Sequence, residues 1–176
     1  TLRLLYHNKA HGVKVYRFSS KILPLATHPL LSDWDYIADL REQLQKIGSL
    51  VKENGFRVSF HPDHFTLINS PREEVILASL VDLEHHCRLL QAMGLDCRAK
   101  LITHVGGGYK DKAESLKRFQ RNWERVPREV AARMTLENDD KTFTAGEVLL
   151  LCRELSLPLV LDLHHFKCNP GEDQLE

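Results

Sequence analysis

The sequence lacks a long apolar run, a net charge and a secretory leader pattern. No apolar run approaches the ~20 residues of a membrane-spanning helix, and the first residues do not show a signal peptide's order of charge, apolar stretch and cleavage site. The 24 basic and 24 acidic side chains cancel, so no long-range field draws the whole molecule to nucleic acid or membrane. We therefore expect a cytoplasmic protein with no membrane partner, in which any polyanion is bound locally.

Paired cysteine motifs and low-complexity linkers are also missing. The four cysteines are scattered, without a Cys-x-x-Cys pair, which argues against a disulfide framework or a structural zinc site. We interpret them as reduced thiols, mostly in the core. Because 43% of the residues are hydrophobic and no Pro/Ser-rich segment divides the chain, we expect one globular domain over residues 1–176.

Five short apolar runs alternate with helical patterns, which predicts βα units around a parallel sheet. The predicted strands are residues 13–18, 56–60, 99–104, 134–137 and 159–162. Each run is apolar almost throughout, as expected for a sheet covered on both faces. Apolar residues spaced three and four apart predict helices with stripes over residues 37–51, 76–90, 116–126 and 148–155.

Capping residues mark several helix ends. Ser70 lies three residues before Glu73, and Thr144 lies three residues before Glu147, so both pairs predict a capping box at a helix start. Gly94 is typical of a helix stop.

Metal-compatible side chains fall where the predicted strands end. In a parallel barrel or a doubly wound sheet, this edge binds ligands, because the βα loops bring side chains from different strands together. A single histidine here could equally be a structural imidazole, but the joint placement favours a cluster of divalent ions such as Zn²⁺, Mn²⁺ or Co²⁺. Such a cluster could activate water and stabilise charge on a phosphodiester oxygen. The five residues are His61, His104, Glu137, Asp162 and His165.

The loops and the charge pattern are compatible with a phosphate ligand. The glycines at 106–108 either let backbone amides approach a phosphate or form an ordinary turn. Residues 98–133 carry a local charge of +6 and residues 134–176 a local charge of −6. The basic stretch could face a phosphate backbone or simply form solvated helix faces.

Five motifs occur in the order found in one family of repair enzymes. They are VYRFSS from residue 15, RVSFHP from residue 57, HVGG from residue 104, LENDDK from residue 136 and DLHH from residue 162. With this ordered set, the chain resembles the UV damage endonucleases.

The resemblance implies an α/β fold, a TIM barrel similar to endonuclease IV. The chain would form an incomplete barrel of about five βα units, without the family's first strand and its last two or so units. The implied activity, within DNA excision repair, is hydrolysis of the phosphodiester immediately 5′ to cyclobutane dimers, (6-4) photoproducts and abasic sites. The implied partner is damaged double-stranded DNA, bound by a monomer that associates with the nucleoid.

The resemblance also implies roles for individual residues. His61 and His104 would hold one ion, Glu137 would bridge to a second ion shared with Asp162, and His165 would serve a third. The implied cofactor is a Mn²⁺ cluster, with Zn²⁺, Co²⁺ or Mg²⁺ as alternatives, and the implied catalytic residues are Glu137, His61 and His104. The expected DNA-binding residues are His64 and Phe65, which would probe the damaged duplex, with Arg17, Tyr109 and Lys112.

The chain departs from its relatives at several positions, and other functions stay open. His64 replaces a common Gln, Lys110 a common Gly, and Phe166 a common third His. Phe65 is either a wedge that fills the gap left by extruded nucleotides or a loop aromatic packed on the barrel top. The alternative functions are a metal-dependent sugar isomerase or epimerase barrel and a non-catalytic metal- or DNA-binding fragment.

Overall fold

The protein forms a five-stranded parallel sheet with helices between the strands. The computed structural model describes residues 1–31 and 33–172. The predicted domain 1–176 also includes Ser32 and residues 173–176, which lie outside the described residues. The strands are β1 (Val15–Phe18), β2 (Arg57–Phe60), β3 (Lys100–His104), β4 (Met134–Glu137) and β5 (Leu159–Val160). The helices are α1 (Leu2–Ala10), α2 (Tyr36–Asp39), α3 (Arg41–Glu53), α4 (Glu73–Ala92), α5 (Lys112–Trp123), α6 (Arg128–Ala131), α7 (Ala145–Leu155) and α8 (Leu163–Cys168), with a 3₁₀ turn at Pro29–Leu31.

The order of the strands distinguishes the two architectures that the sequence left open. Each strand pairs in parallel with the next one along the chain, in the order β1-β2-β3-β4-β5. A doubly wound sheet reverses its strand order at a switch point, and the five described strands show no reversal. The winding is therefore that of a barrel, in which every strand's carboxyl end faces the same rim.

The predicted strands are found, with corrections at their ends. The prediction for β4 is confirmed, and all four of its residues are buried. At the sheet edge, Val15 is 63% exposed, so the expectation that both faces are covered is wrong for β1. The last strand ends at Val160 instead of residue 162. It ends early because Asp162 turns the chain and its carboxylate accepts the amides of His164 and His165, which begins α8.

Two helix predictions are also corrected. The stripe over residues 37–51 belongs to two helices, α2 and α3, which are separated at Leu40. The predicted Ser70 cap is wrong: α4 begins at Glu73, after Arg72, and has no side-chain cap. Ser70 instead accepts the amide of Arg72 in a local turn before the helix, at 3.1 Å.

Other helix signals are confirmed. Thr144 and Glu147 form both hydrogen bonds of a capping box at the start of α7. Gly94 has a φ of +68° just after α4, as a helix stop requires. None of the helices in the described ranges is long and apolar enough to cross a bilayer.

The apolar core lies between the sheet and its helices. Phe18 and Phe60, from neighbouring strands, pack with ring centroids 5.1 Å apart and are almost fully buried. All four cysteines are free thiols, but the prediction that most are in the core is right for only two of them. Cys87 and Cys152 are buried, whereas Cys97 and Cys168 are exposed; burial raises the pKa of the Cys152 thiol to about 11.

Candidate functional site

Parallel pairing brings the ends of the strands to one rim of the sheet. Phe18 is paired with Phe60, and His104 is paired with Glu137. His61 directly follows Phe60, so His61, His104 and Glu137 project from three adjacent strand ends. The structure therefore brings together residues that are 43 and 33 positions apart in the sequence.

His61, His104 and Glu137 form a first group of potential ligands. One ligand atom from each lies within 4.8 Å of the other two. His61 Nε2 is 2.9 Å from Glu137 Oε2, and His104 Nε2 is 3.7 Å from the same oxygen. Two imidazoles and a carboxylate that converge at these distances fit a divalent transition ion.

A second group shares Glu137 with the first. Ligand atoms of Glu137, Asp162 and His165 also lie within 4.8 Å of one another. The rings of His104 and His165 are 5.3 Å apart, so the two groups are adjacent. A carboxylate common to both groups can bridge two ions, and the sequence predicted this arrangement for Glu137. The donor set fits the divalent ion expected from the sequence, with no preference among the candidate metals.

The three histidines are oriented in the same way. Each has Nδ1 beside a backbone carbonyl oxygen: His61 beside Pro62 at 3.0 Å, His104 beside Glu137 at 3.2 Å and His165 beside Asn138 at 2.9 Å. A ring that donates from Nδ1 carries its free lone pair on Nε2 and is held in the orientation a metal ligand needs. In His61 and His104 the other ring nitrogen, Nε2, faces the Glu137 carboxylate, a contact that a purely structural histidine would not need.

Glu137 is a buried anion. The residue is 1% exposed, and burial by itself would raise the carboxyl pKa. The hydrogen bond from His61 and the charges of His61, His104 and Arg17 outweigh burial, so the pKa of Glu137 is below its usual value. Desolvation, followed by the charge of His61, lowers the pKa of His104. The carboxylate is therefore ready to bind a cation.

Arg17 lies inside the site. It is the second-to-last residue of β1. Its guanidinium is 3.5 Å from Glu137 Oε1, and about half of the side chain is exposed. The sequence predicted a contact with the DNA backbone for this residue. Its position beside the carboxylates places a fixed positive charge at the rim, where a phosphate could reach it.

His64 and Phe65 form an exposed tip on the loop after β2. Phe65 is 72% exposed, so the alternative of an aromatic packed on the barrel top is wrong. The two rings are tilted by 41° with centroids 4.0 Å apart, and Asp63 Oδ1 lies 2.9 Å from His64 Nδ1. Behind the tip, Thr66 donates to Asp82 of α4 at 2.7 Å. The loop thus carries two exposed rings on an anchored base.

In the loop after β3, which contains the glycines at 106–108, close packing requires glycine at the first of these positions. Gly106 has a φ of +117°, and a Cβ there would collide with the side chain of buried Asn69. Asn69 donates to Gly107 O at 2.9 Å and to Ser115 at 2.8 Å, which ties this loop to the one carrying Phe65. No motif or spacing in the sequence pointed to Asn69. A cavity of about 300 Å³ opens between these loops and the loop after β4, beside His61 and His104.

Two further predicted DNA contacts lie near this loop. Tyr109 is 38% exposed, and the Arg118 guanidinium lies 5.4 Å from the centre of its ring. Lys112 is paired with Glu147 of α7 at 2.7 Å, so its charge is partly neutralised within the protein. In the basic stretch, Arg125 is likewise paired with Glu73 at 2.5 Å, as on a solvated helix surface.

Comparison with known proteins gives a consistent result. The family model described as UV-endonuclease UvdE matches residues 1–176. A UV DNA damage endonuclease from Bacillus velezensis is 44% identical over 173 residues, which cover 98% of this chain and 54% of that protein. The chain thus spans about half the length of the curated relatives it matches.

Solved structures support the fold. The crystal structure of SacUVDE superposes with a TM-score of 0.93 at 34% identity, covering 98% of this chain and 59% of the other. Two more distant structures share the fold alone. A D-psicose 3-epimerase from Clostridium cellulolyticum has a TM-score of 0.70 at 14% identity, with coverage of 98% and 61%. Endonuclease IV from Thermus thermophilus has a TM-score of 0.65 at 14% identity, with coverage of 93% and 58%.

Proposed function

Since this chain belongs to the UV-endonuclease UvdE family and has a TIM-barrel-type α/β fold, we propose that it acts on UV-damaged DNA as a metal-dependent endonuclease. The proposed reaction is hydrolysis of the phosphodiester immediately 5′ to a UV photoproduct or an abasic site. The observation that carries the proposal is the convergence of two groups of potential ligands on the buried carboxylate of Glu137, two imidazoles in one group and Asp162 with one imidazole in the other. A DNA substrate would place the protein with the nucleoid in the cytoplasm.

The proposed ligands are His61, His104, Glu137, Asp162 and His165. When bound, divalent ions supply the positive charge that acidifies water and stabilises developing charge on phosphodiester oxygens. Mn²⁺ is the proposed ion, with Zn²⁺, Co²⁺ and Mg²⁺ as alternatives. The donor chemistry supports a divalent ion of this group.

The chain's own residues perform the remaining tasks. Glu137 stays deprotonated, because the His61 imidazole and the Arg17 guanidinium lie 2.9 Å and 3.5 Å from its carboxylate oxygens. The contacts of Nδ1 to backbone carbonyls hold the ring orientations of the three histidines, with Nε2 of His61 and His104 toward Glu137. Arg17, which already faces Glu137, is placed to hold a phosphate close to the carboxylates.

The proposed damage recognition uses the exposed tip. A photoproduct weakens stacking and pairing, so the cost of opening the duplex is least at the lesion. Phe65, which lies beside the His64 ring and is largely exposed, could fill the gap between base pairs. Recognition of this kind reads deformability and has no need of a base code.

The sugar epimerase alternative has less support. The epimerase structure is similar at 14% identity, which reflects the shared barrel. A small polyol in a closed pocket would give no role to an aromatic side chain that is 72% exposed.

The test is incision of UV-irradiated supercoiled plasmid by the purified chain in Mn²⁺. We expect nicking of irradiated plasmid, loss of nicking with a chelator, and a fall of more than about 100-fold for Glu137→Gln, since losing even an outer partner of a metal ligand typically costs about 10- to 100-fold. Glu124→Gln, at the exposed end of α5, is the matched control and should nick normally.

Three results would contradict the proposal. These are full activity of Glu137→Gln, isomerisation of a sugar with irradiated plasmid left intact, and binding of Mn²⁺ and irradiated DNA without incision. The last result would support a non-catalytic binding module.

A further inference from the structure

Asn138 is a fully buried polar residue that directly follows Glu137. It is 0% exposed, and both polar atoms of its side chain bind the backbone of one residue. Nδ2 donates to Asp162 O at 3.1 Å, and Oδ1 accepts the amide of Asp162 at 2.8 Å. A side-chain amide with both functions satisfied by one distant residue is a two-point clamp.

The clamp extends the pairing of two strands. Backbone pairing between β4 and β5 ends at Glu137 and Val160. A side-chain amide offers the same donor and acceptor as a peptide group. Asn138 therefore adds one rung after the last backbone pair, at the point where the chain leaves the sheet and turns into α8.

This rung determines the position of Asp162. The Asp162 backbone is held by Asn138, and its Oδ1 accepts the amides of His164 and His165 at 2.8 Å each. These amide hydrogen bonds are the main cause that lowers the pKa of the Asp162 carboxyl. The carboxylate thus has one orientation, set from both sides.

The backbone of Asn138 also orients His165. Its carbonyl oxygen accepts from His165 Nδ1 at 2.9 Å, which leaves Nε2 for the site. One residue therefore contacts both partners of Glu137 in the second group. The first group does not share these contacts, because His61 is held by Pro62 O and His104 by Glu137 O.

We propose that Asn138 is the positioning residue for the group of Glu137, Asp162 and His165, and that its side chain sets the affinity of this half of the cluster for a divalent ion. The inference rests on the proposed metal site. It goes beyond it by assigning the two halves of the cluster separate supports.

The experiment measures Mn²⁺ binding by isothermal titration calorimetry, with no DNA present. Two backgrounds isolate the halves. His61→Ala with His104→Ala leaves the second group intact, and Asp162→Ala with His165→Ala leaves the first. Asn138→Asp is introduced into each background. It keeps the size and one acceptor oxygen, but it turns a second oxygen toward Asp162 O in place of the lost donor.

In the first background, His61→Ala with His104→Ala, which keeps the second group, we expect Asn138→Asp to weaken Mn²⁺ binding about 10- to 100-fold, as for other outer partners of metal ligands. In the second background, Asp162→Ala with His165→Ala, which keeps the first group, the expected change in Mn²⁺ affinity is less than about 3-fold. Asn122→Ala is the matched control, because Asn122 also donates to a backbone carbonyl, Ile68 O at 2.7 Å, and belongs to neither group of potential ligands. It should leave Mn²⁺ binding unchanged in both backgrounds.

Several outcomes would overturn the inference. Equal losses in both backgrounds would show a general structural role, and unchanged binding in the first background would show no role. Asn138→Ala is measured alongside by circular dichroism. If both Asn138 variants are unfolded in metal-free buffer, the residue is a folding determinant and the inference fails. An Mn²⁺ result of either sign is independent of plasmid incision, so failure here is distinguishable from failure of the proposed function.

Discussion

The three site histidines show how a role is set at the scale of a single hydrogen bond. The sequence placed His61, His104 and His165 at strand ends, but sequence alone could not decide between a structural and a ligating imidazole. The structure adds a backbone carbonyl beside each Nδ1 and brings one ring nitrogen of each histidine within 4.8 Å of a Glu137 oxygen. These partners depend on tertiary placement, which local pattern does not encode.

Lys110 provides a prediction at the same scale. Its φ is +68°, a conformation that costs a non-glycine residue about 1 kcal/mol. We expect Lys110→Gly to raise the free energy of unfolding by about 1 kcal/mol, measured by urea denaturation. Lys110→Ala keeps the strain and should give no gain. A gain for alanine equal to that for glycine would contradict a backbone origin.

His85 predicts how stability depends on pH. The residue is 4% exposed, and its Nδ1 is hydrogen-bonded to the Tyr36 hydroxyl at 2.9 Å. Its pKa is lowered to about 4, chiefly by burial. Because the folded-state pKa lies below the unfolded value of 6.5, the unfolded chain binds more protons between those values. Stability is thus fully present above about pH 6.5 and falls as the pH falls toward 4, by up to roughly 3 kcal/mol.

The measurement compares urea unfolding of wild type and His85→Gln at pH 7 and pH 4.5 in chelator. The variant has no imidazole to protonate, so it should lose less stability than wild type over this interval. An equal loss in both proteins would exclude His85 as the source.

At the scale of elements, the loop after β2 has an exposed tip on a base that is anchored to α4. Thr66 is tied to Asp82, and the amide of Leu67 donates to Ser79 at 2.7 Å, so α4 holds the loop from below. The tip residues make no comparable anchor to the sheet. A side chain at such a tip can meet a partner at little entropic cost, since the loop is already ordered.

Phe65→Ala tests this element. We expect the thermal midpoint and Mn²⁺ binding to be unchanged, because the ring is 72% exposed. Preference for irradiated over intact DNA should fall by about 10-fold, on the basis that aromatic stacking on a base contributes about 1–3 kcal/mol. The readout is the ratio of nicking rates on the two plasmids. Tyr6→Ala removes an aromatic ring that is 58% exposed on α1 and should leave the ratio unchanged; an equal effect of both variants would contradict the wedge.

The sequence predicted strands more reliably than helix starts, for a physical reason. A strand that is buried on both faces, such as β4, appears in the sequence as a short and nearly continuous apolar run. A cap depends on one hydroxyl with several possible partners, and Ser70 took the amide of Arg72 in a turn instead of capping α4. The end of β5 was missed for the same reason, because the Asp162 carboxylate turned the chain into α8.

At the scale of the whole molecule, the site is a product of parallel winding. Five strands in sequential order bring side chains from residues 61 to 165 to one rim. The ordered motifs predicted these residues, since each follows an apolar run. Asn138 and Asn69 could not be predicted as supports, because their roles consist of contacts to Asp162 and Gly107 across the fold.

Anomalous diffraction from crystals of the chain soaked in Mn²⁺ would locate the ions of the proposed cluster. We expect one anomalous peak among His61, His104 and Glu137 and another among Glu137, Asp162 and His165, with Glu137 common to both. The Glu137→Gln crystal should lose one or both peaks. Peaks confined to other surface carboxylates, with this rim empty at saturating Mn²⁺, would contradict the account.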